Sequence, residues 1–234
     1  MKQKFLTISA LIGASAVMSL GSASATDIYN DVANYNGYAM GMTNGLELGN
    51  QITVGSASLT DFQIEYLATT ALAANVGVDV RFYFNNGPLV NGYATPGTKF
   101  FDSGFFYNTF GGIQNDPAGN NLEYTTTDFA AGALANWNLF NYQLPTSFTF
   151  TITWTNITPN EIEMPLANNV AGQSTGFYWV NDNGAWSLNS QPNNNPNGNF
   201  LVDFTGQVPE PSTFGLAALG GAVLLGIQRL RRKS

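Results

Sequence analysis

Ser147-Phe148-Thr149-Phe150-Thr151-Ile152-Thr153-Trp154-Thr155 alternates a small hydroxyl side chain with a large apolar one at every step. Successive side chains of a strand point to opposite faces, whereas a helix would scatter these apolar groups around its axis. The pattern therefore predicts a half-buried strand. Phe148, Phe150, Ile152 and Trp154 face a core, and Thr149, Thr151, Thr153 and Thr155 lie on the outer side, where β-branched threonine suits a pleated surface. Two other stretches alternate in the same way. From Ser58 to Thr70, Phe62, Ile64, Tyr66 and Ala68 share one face, and Asp61, Gln63 and Glu65 the other. From Val76 to Phe84, Val76, Val78, Val80, Phe82 and Phe84 face inward, and Asp79, Arg81 and Tyr83 outward.

Working outward, Leu46 to Val54, Lys99 to Tyr107, Leu122 to Phe129 and Asn199 to Val208 read as further strands. Asp102-Ser103-Gly104 kinks the second of these, and Phe200, Val202 and Phe204 share a face of the last. Gly176 to Val180 and Ala185 to Leu188 flank the turn Asn181-Asp182-Asn183-Gly184, which makes them a hairpin. Thr26 to Gly45 is a Tyr/Asn/Gly-rich lead-in, Asn85-Asn86-Gly87-Pro88 is a break, and Gln191 to Asn199 is an Asn/Pro loop. Ala130 to Leu139, the one helix-like run outside the two ends, reads as a turn between strands. About eight strands with no amphipathic helix predict an all-β fold, an antiparallel jelly-roll-like β-sandwich.

The two ends have a different logic. Lys2 and Lys4, the apolar run Phe5 to Leu20, and Ala23-Ser24-Ala25 form a secretory signal peptide, residues 1–25, cleaved after Ala25. Residues 26–207 are the ectodomain, and residues 208–234 form a tripartite tail. Pro209-Glu210-Pro211 is an extended peptide, because proline lacks an amide proton and biases the residue before it away from helix. Ser212 to Gln228 carries no charge and predicts a transmembrane helix of about 25 Å, short for a hydrocarbon core of about 30 Å. Ala218, Ala222 and Gly226 form a small-residue ridge along it. Arg229, Arg231, Arg232 and Lys233 then hold the extreme C-terminus on the cytoplasmic side, with everything before Pro209 outside.

Those three parts in that order resemble the PEP-CTERM sorting signal of Gram-negative bacteria. The resemblance covers Val208 to Ser234. It implies that an exosortase, a membrane protease-transpeptidase, recognises Pro209, Glu210 and Pro211 as substrate and removes the tail. It also implies a route through the inner membrane to the cell surface or the extracellular matrix, in association with exopolysaccharide. The alternative reading of the same residues is a single-span anchor that is never cut. Leu48-Gly49-Asn50-Gln51-Ile52, Pro96-Gly97-Thr98 and Asp102-Ser103-Gly104 are similar to recurring pieces of the sandwich ectodomains that precede this signal, a likeness of shape without an activity.

Composition removes several functions. Thr26 to Gln207 carries 14 acids against two bases, Arg81 and Lys99, a net charge of −12 where the whole chain has −7. Phosphate backbones need clustered cations, so nucleic acid is not a partner. The chain has no Cys and no His. A disulfide framework, a histidine zinc site and every His-based nucleophile arrangement are absent with them.

What remains for chemistry is carboxylates and aromatics. Glu161 and Glu163 share a face if extended and could act as a glycosidase pair; beside Pro159 and Pro165 they read more simply as solvated loop charge. Asp61 and Glu65 are treated alike. Asn181-Asp182-Asn183-Gly184 offers oxygens to calcium but lacks the acidic spacing and distal Glu of a calcium loop, so it reads as a turn. No cofactor is expected, with structural calcium from separate loops left open. Trp137, Tyr142, Tyr178, Trp179 and Trp186 beside many Asn suit sugar stacking. Trp186, after a turn and near a rim, is the preferred glycan contact, and Trp154 the buried counterpart. The expectation is a non-enzymatic surface or matrix protein; the alternatives are a lectin-like module and a carboxylate-dependent polysaccharide-active enzyme.

Overall fold

The computed structural model describes residues 25–55, 57–68, 72–107, 114–115, 123–128, 142–168, 173–190 and 198–208. The signal peptide up to residue 24, Trp137, the run 130–139 and the tail from residue 209 onward lie outside these. Among the described residues no helix is long and apolar enough to cross a membrane. Residues 25–207 make one unit by themselves.

In chain order the elements are β1 (Ala25–Asn30), a 3-10 turn (Val32–Asn34), β2 (Tyr35–Gly41), β3 (Glu47–Thr53), β4 (Ser58–Ala68), β5 (Gly77–Phe84), β6 (Leu89–Val90), β7 (Tyr93–Ala94), β8 (Lys99–Asp102), β9 (Phe106–Tyr107), β10 (Gln114–Asn115), β11 (Glu123–Asp128), β12 (Ser147–Thr155), β13 (Ile162–Ala167), β14 (Ser174–Asp182), β15 (Ala185–Asn189), β16 (Asn199–Phe200) and β17 (Val202–Gln207). The all-β expectation holds, and every ladder is antiparallel. One sheet runs β1-β17-β4-β11-β10, with β13 joining β4 to β2 and β16. The second runs β15-β14-β3-β12-β5-β8, with β9 also on β5.

The alternating faces meet as the sequence predicts. Phe62, Ile64, Tyr66 and Phe204 of the first sheet are buried with Val78, Val80, Phe82, Phe148, Phe150, Ile152 and Trp154 of the second. Phe204 sits at the middle: it stacks on Phe62 at 5.7 Å and reaches across to Phe82, Phe148 and Phe150 at 5.6–5.8 Å. Offset and edge-on rings of this kind add to the area they bury.

Four local expectations are corrected. The lead-in forms two edge strands, β1 and β2, separated at Asp31. The break at Asn85–Pro88 opens into the small β6–β7 hairpin, turning on Asn91 and Gly92, both at positive φ. The final strand is interrupted at Leu201 into β16 and β17. The largest correction is β13. Glu161 and Glu163 were expected in a solvated loop, yet Ile162–Ala167 is a strand paired with β2, β4 and β16. Pro165 lacks a donor, but its carbonyl still accepts the Leu201 N–H at 3.3 Å. A proline read as a breaker is tolerated where only its acceptor is needed.

Candidate functional site on the outer face of the second sheet

Thr149, Thr151 and Thr153 point away from the core, as their register requires, yet all three are buried, and so are Asp79 and Tyr83 beside them. Exposure was the wrong expectation for this face. The cause is that long side chains lie down across a floor of short ones. Gly49 of β3 is part of that floor: a Cβ there would run into the Phe150 carbonyl and the Thr151 methyl. Trp186 of β15 and Tyr83 of β5 close over the top, with ring centroids 5.6 Å apart and planes at 77°. Their strands stand four places apart, roughly 19 Å in a flat sheet. The face must therefore curl, and the two side chains must reach toward each other.

Beneath that arch sits Glu47. Its Oε1 accepts the hydroxyls of Tyr83 at 2.9 Å and Thr151 at 2.7 Å. Its Oε2 accepts Asn181 Nδ2 at 2.8 Å and faces Arg81 Nη1 at 3.2 Å. Arg81 Nη2 reaches Asp79 at 2.6 Å, and Nε lies 3.6 Å from Asp102. Asp102 also pairs with Lys99. Ser103 Oγ accepts the Val80 N–H at 2.8 Å and donates to Asp79 at 3.0 Å. Thr149 donates to Asn85 Oδ1 at 2.7 Å.

The electrostatics follow from this packing. Burial pushes the Asp79 carboxyl up, against the pull of Arg81. Burial, with Glu47 adding to it, raises the Tyr83 phenol, so it stays a donor. Burial disfavours charge on Asp102, but Lys99, the Gly104 amide and Arg81 outweigh it and hold that carboxyl low. Glu47 itself is fully engaged, whereas the buried Thr153 hydroxyl and Arg81 Nε on the same face make no hydrogen bond. Glu47 has four donors on two oxygens, and both ectodomain cations are taken by carboxylates. An acid–base catalyst needs a free proton site within reach of its substrate, and Glu47 offers none.

The residues singled out from sequence scatter. Trp186 is half-buried at this face, paired in register with Asn181. Trp179 is buried, Tyr178 is half-buried against Phe200, and Tyr142 stacks on Phe100 at 5.8 Å. Glu161 closes a turn, accepting the Thr158 N–H and hydroxyl at 2.8 and 3.0 Å. Glu163 lies in β13 opposite Gly41, so the two glutamates serve separate local structures. Asp61 and Glu65 lie on the outer side of the first sheet. Asn183 and Gly184 form the hairpin turn, with φ of 51° and 89°. Gly184 N–H donates to Asn181 Oδ1 at 2.8 Å and Asn183 Nδ2 to Asp182 Oδ1 at 2.8 Å, so the turn's side chains brace the turn itself. Among the described residues no three Asp or Glu groups converge to hold a metal ion. Sequence reasoning missed Glu47 as the centre. The row Asp79, Arg81, Tyr83 on one strand face was the available signal; nothing local pointed to a partner 32 to 36 residues earlier.

The sandwich ends at Gln207, which pairs with Ala25 on one side and Ser58 on the other. Val208, the next residue, is 46 % exposed. Residues 207–233 match the family model of the PEP-CTERM protein-sorting motif. The chain carries a PEP-CTERM sorting motif. The motif thus begins where strand pairing stops, and it marks an exported protein sorted through exosortase-type machinery. Its Pro209, Glu210 and Pro211 lie outside the described residues. No curated protein and no solved structure is similar enough to match the chain.

Proposed function

We propose that this PEP-CTERM protein is a non-enzymatic component of the cell surface or extracellular matrix, with a jelly-roll-like sandwich whose curled outer face, at Trp186, contacts exopolysaccharide. The saturation of Glu47 is the observation that carries the non-enzymatic part. The half-open Trp186 ring beside Asn181 supports the glycan contact, since a sugar supplies C–H faces to stack and hydroxyls to bond. The signal peptide leaves after Ala25, Glu210 between its prolines is gripped by the exosortase, and residues 212–228 with Arg229, Arg231, Arg232 and Lys233 anchor the chain until then.

Intact mass of surface material tests the sorting. The expected product begins at Thr26 and lacks residues 229–234; a product that always keeps them contradicts removal of the tail. Glu210→Ala is expected to strand the chain in the inner membrane, and undiminished release of that variant would defeat specific recognition.

Trp186→Ala is expected to weaken retention of the released protein on the cell's own exopolysaccharide by about tenfold, one buried aromatic contact's worth. Its melting should stay cooperative. A wild-type protein that is not retained on that polysaccharide, or a Trp186→Ala variant retained equally, removes the glycan reading. Turnover of any polysaccharide that a single Asp or Glu substitution abolishes would instead establish the enzyme alternative.

A further inference from the structure

We propose that β15 is a self-association edge: two copies of the chain join β15 to β15, antiparallel about a two-fold axis centred on Ser187. The edges at β1, β8 and β2 are each guarded. Exposed edge strands template unwanted pairing, and proteins blunt them with charges, bulges, prolines or short length. β1 carries Asp27 and a register break between Asp27 and Tyr29. β8 carries Lys99 and Asp102, and its register breaks at Phe82/Tyr83 of its neighbour. β2 holds Gly37 at positive φ and faces a register break at Leu166/Ala167. β15, Ala185-Trp186-Ser187-Leu188-Asn189, has none of these devices. It is uncharged, free of Gly and Pro, and its register with β14 is unbroken over all five residues.

The two-residue turn at Asn183-Gly184 sets which backbone groups are free. In such a hairpin the pair next to the turn, Asp182 and Ala185, exchanges hydrogen bonds, and bonded and non-bonded pairs then alternate. Ala185, Ser187 and Asn189 thus bond to β14, while the N–H and C=O groups of Trp186 and Leu188 point to the open edge. A second β15 in antiparallel register places Trp186 opposite the other copy's Leu188, twice. Four backbone hydrogen bonds form, and each copy's Leu188 lies opposite the other's Trp186 backbone, while the Trp186 ring stays over Tyr83. Charge selects the place of contact, although it opposes the approach of two copies elsewhere. Two domains of net charge −12 repel over most of their surfaces, and this stretch brings no carboxylate of the strand against another. A two-fold contact needs only this one self-complementary strand.

The test uses the absence of cysteine from the chain. In the proposed register the two Ser187 residues form a non-hydrogen-bonded pair, close enough for a disulfide. Ser187→Cys in the full chain, in detergent micelles under mild oxidation, is expected to cross-link about tenfold or more faster than Leu89→Cys, because bound strands raise the effective concentration. Leu89 is 72 % exposed at a hairpin away from β15, and it controls for any closeness imposed by the tail. Adding Leu188→Pro, which removes an edge N–H but no bond to β14, should return cross-linking to the Leu89→Cys rate. Leu188→Glu, which keeps the backbone and sets like charges near each other at the edge, should do the same. Equal rates for Ser187→Cys and Leu89→Cys, or cross-linking that survives Leu188→Glu, overturns the proposal.

Discussion

Trp154→Ala lowers the unfolding free energy by about 3–5 kcal/mol, the cost of a large core cavity. Trp154 is 0 % exposed and lies edge-on to Tyr66 at 4.9 Å, so its ring joins the two sheets. Its carbonyl also accepts the Gly45 N–H at 2.8 Å, which the substitution leaves in place. The deficit is therefore one of packing and should appear as a lower midpoint in urea without a changed slope. A loss under about 1 kcal/mol would mean that the sheets close up over the gap, and the account of the core would be wrong. Trp186→Ala, on the curled outer face, should leave a far smaller mark on stability.

Asp31→Ala is the second large effect, expected at about 2–4 kcal/mol: the buried Val202 N–H loses its side-chain acceptor, and the Tyr29 hydroxyl keeps only Ser174. Asp31 is fully buried where β1 gives way to β2. Its Oδ1 accepts the Val202 N–H at 2.8 Å and its Oδ2 accepts the Tyr29 hydroxyl at 2.9 Å. A side-chain carboxylate thus stands in for a backbone carbonyl and clamps the edge strand onto the β16–β17 junction. Burial raises the Asp31 carboxyl from 3.8 to about 7, with the nearby Glu65 charge adding to the rise. Burial likewise lifts Glu65 to about 7, and burial with the Asp27 charge lifts Asp203 to about 6. Each of these groups binds its proton more tightly in the folded chain. Their stabilising contribution is complete below the unfolded values and is lost as pH rises through 6 to 7. Thermal stability should consequently increase as pH falls from about 8 to about 5, a window set by those raised values. Asp31→Asn keeps an acceptor for Val202 and cannot titrate, so it should flatten part of that slope. A wild-type chain that is steadily less stable as pH falls through 7, or an Asn variant with an unaltered slope, would refute the clamp.

The inward faces of β4, β5 and β12 were readable because strand periodicity is local: each side chain's face follows from its neighbour's. The hairpin turn at Asn183-Gly184 was readable because only a few residues accept positive φ there. β13 was not, since Pro165 and two glutamates argue against a strand unless its partners are known. The sorting motif is linear, an extended peptide with an apolar run and a basic end, and needs no fold to be recognised.

Residue order by itself determined the all-β class, which side of each main strand enters the core, and the PEP-CTERM motif, because the first two depend on residues adjacent or two apart and the third on one contiguous stretch, residues 207–233. Tertiary structure alone decided that the outer face of the second sheet would close over its threonines. Glu47, Arg81, Tyr83, Thr151 and Asn181 come from four strands, and they meet only after β3, β5, β12 and β14 are laid side by side and the sheet curls. Hydrogen-bond partners so far apart in the chain leave no periodic trace in it, and burial on that face is set by what lies across the strand, not along it.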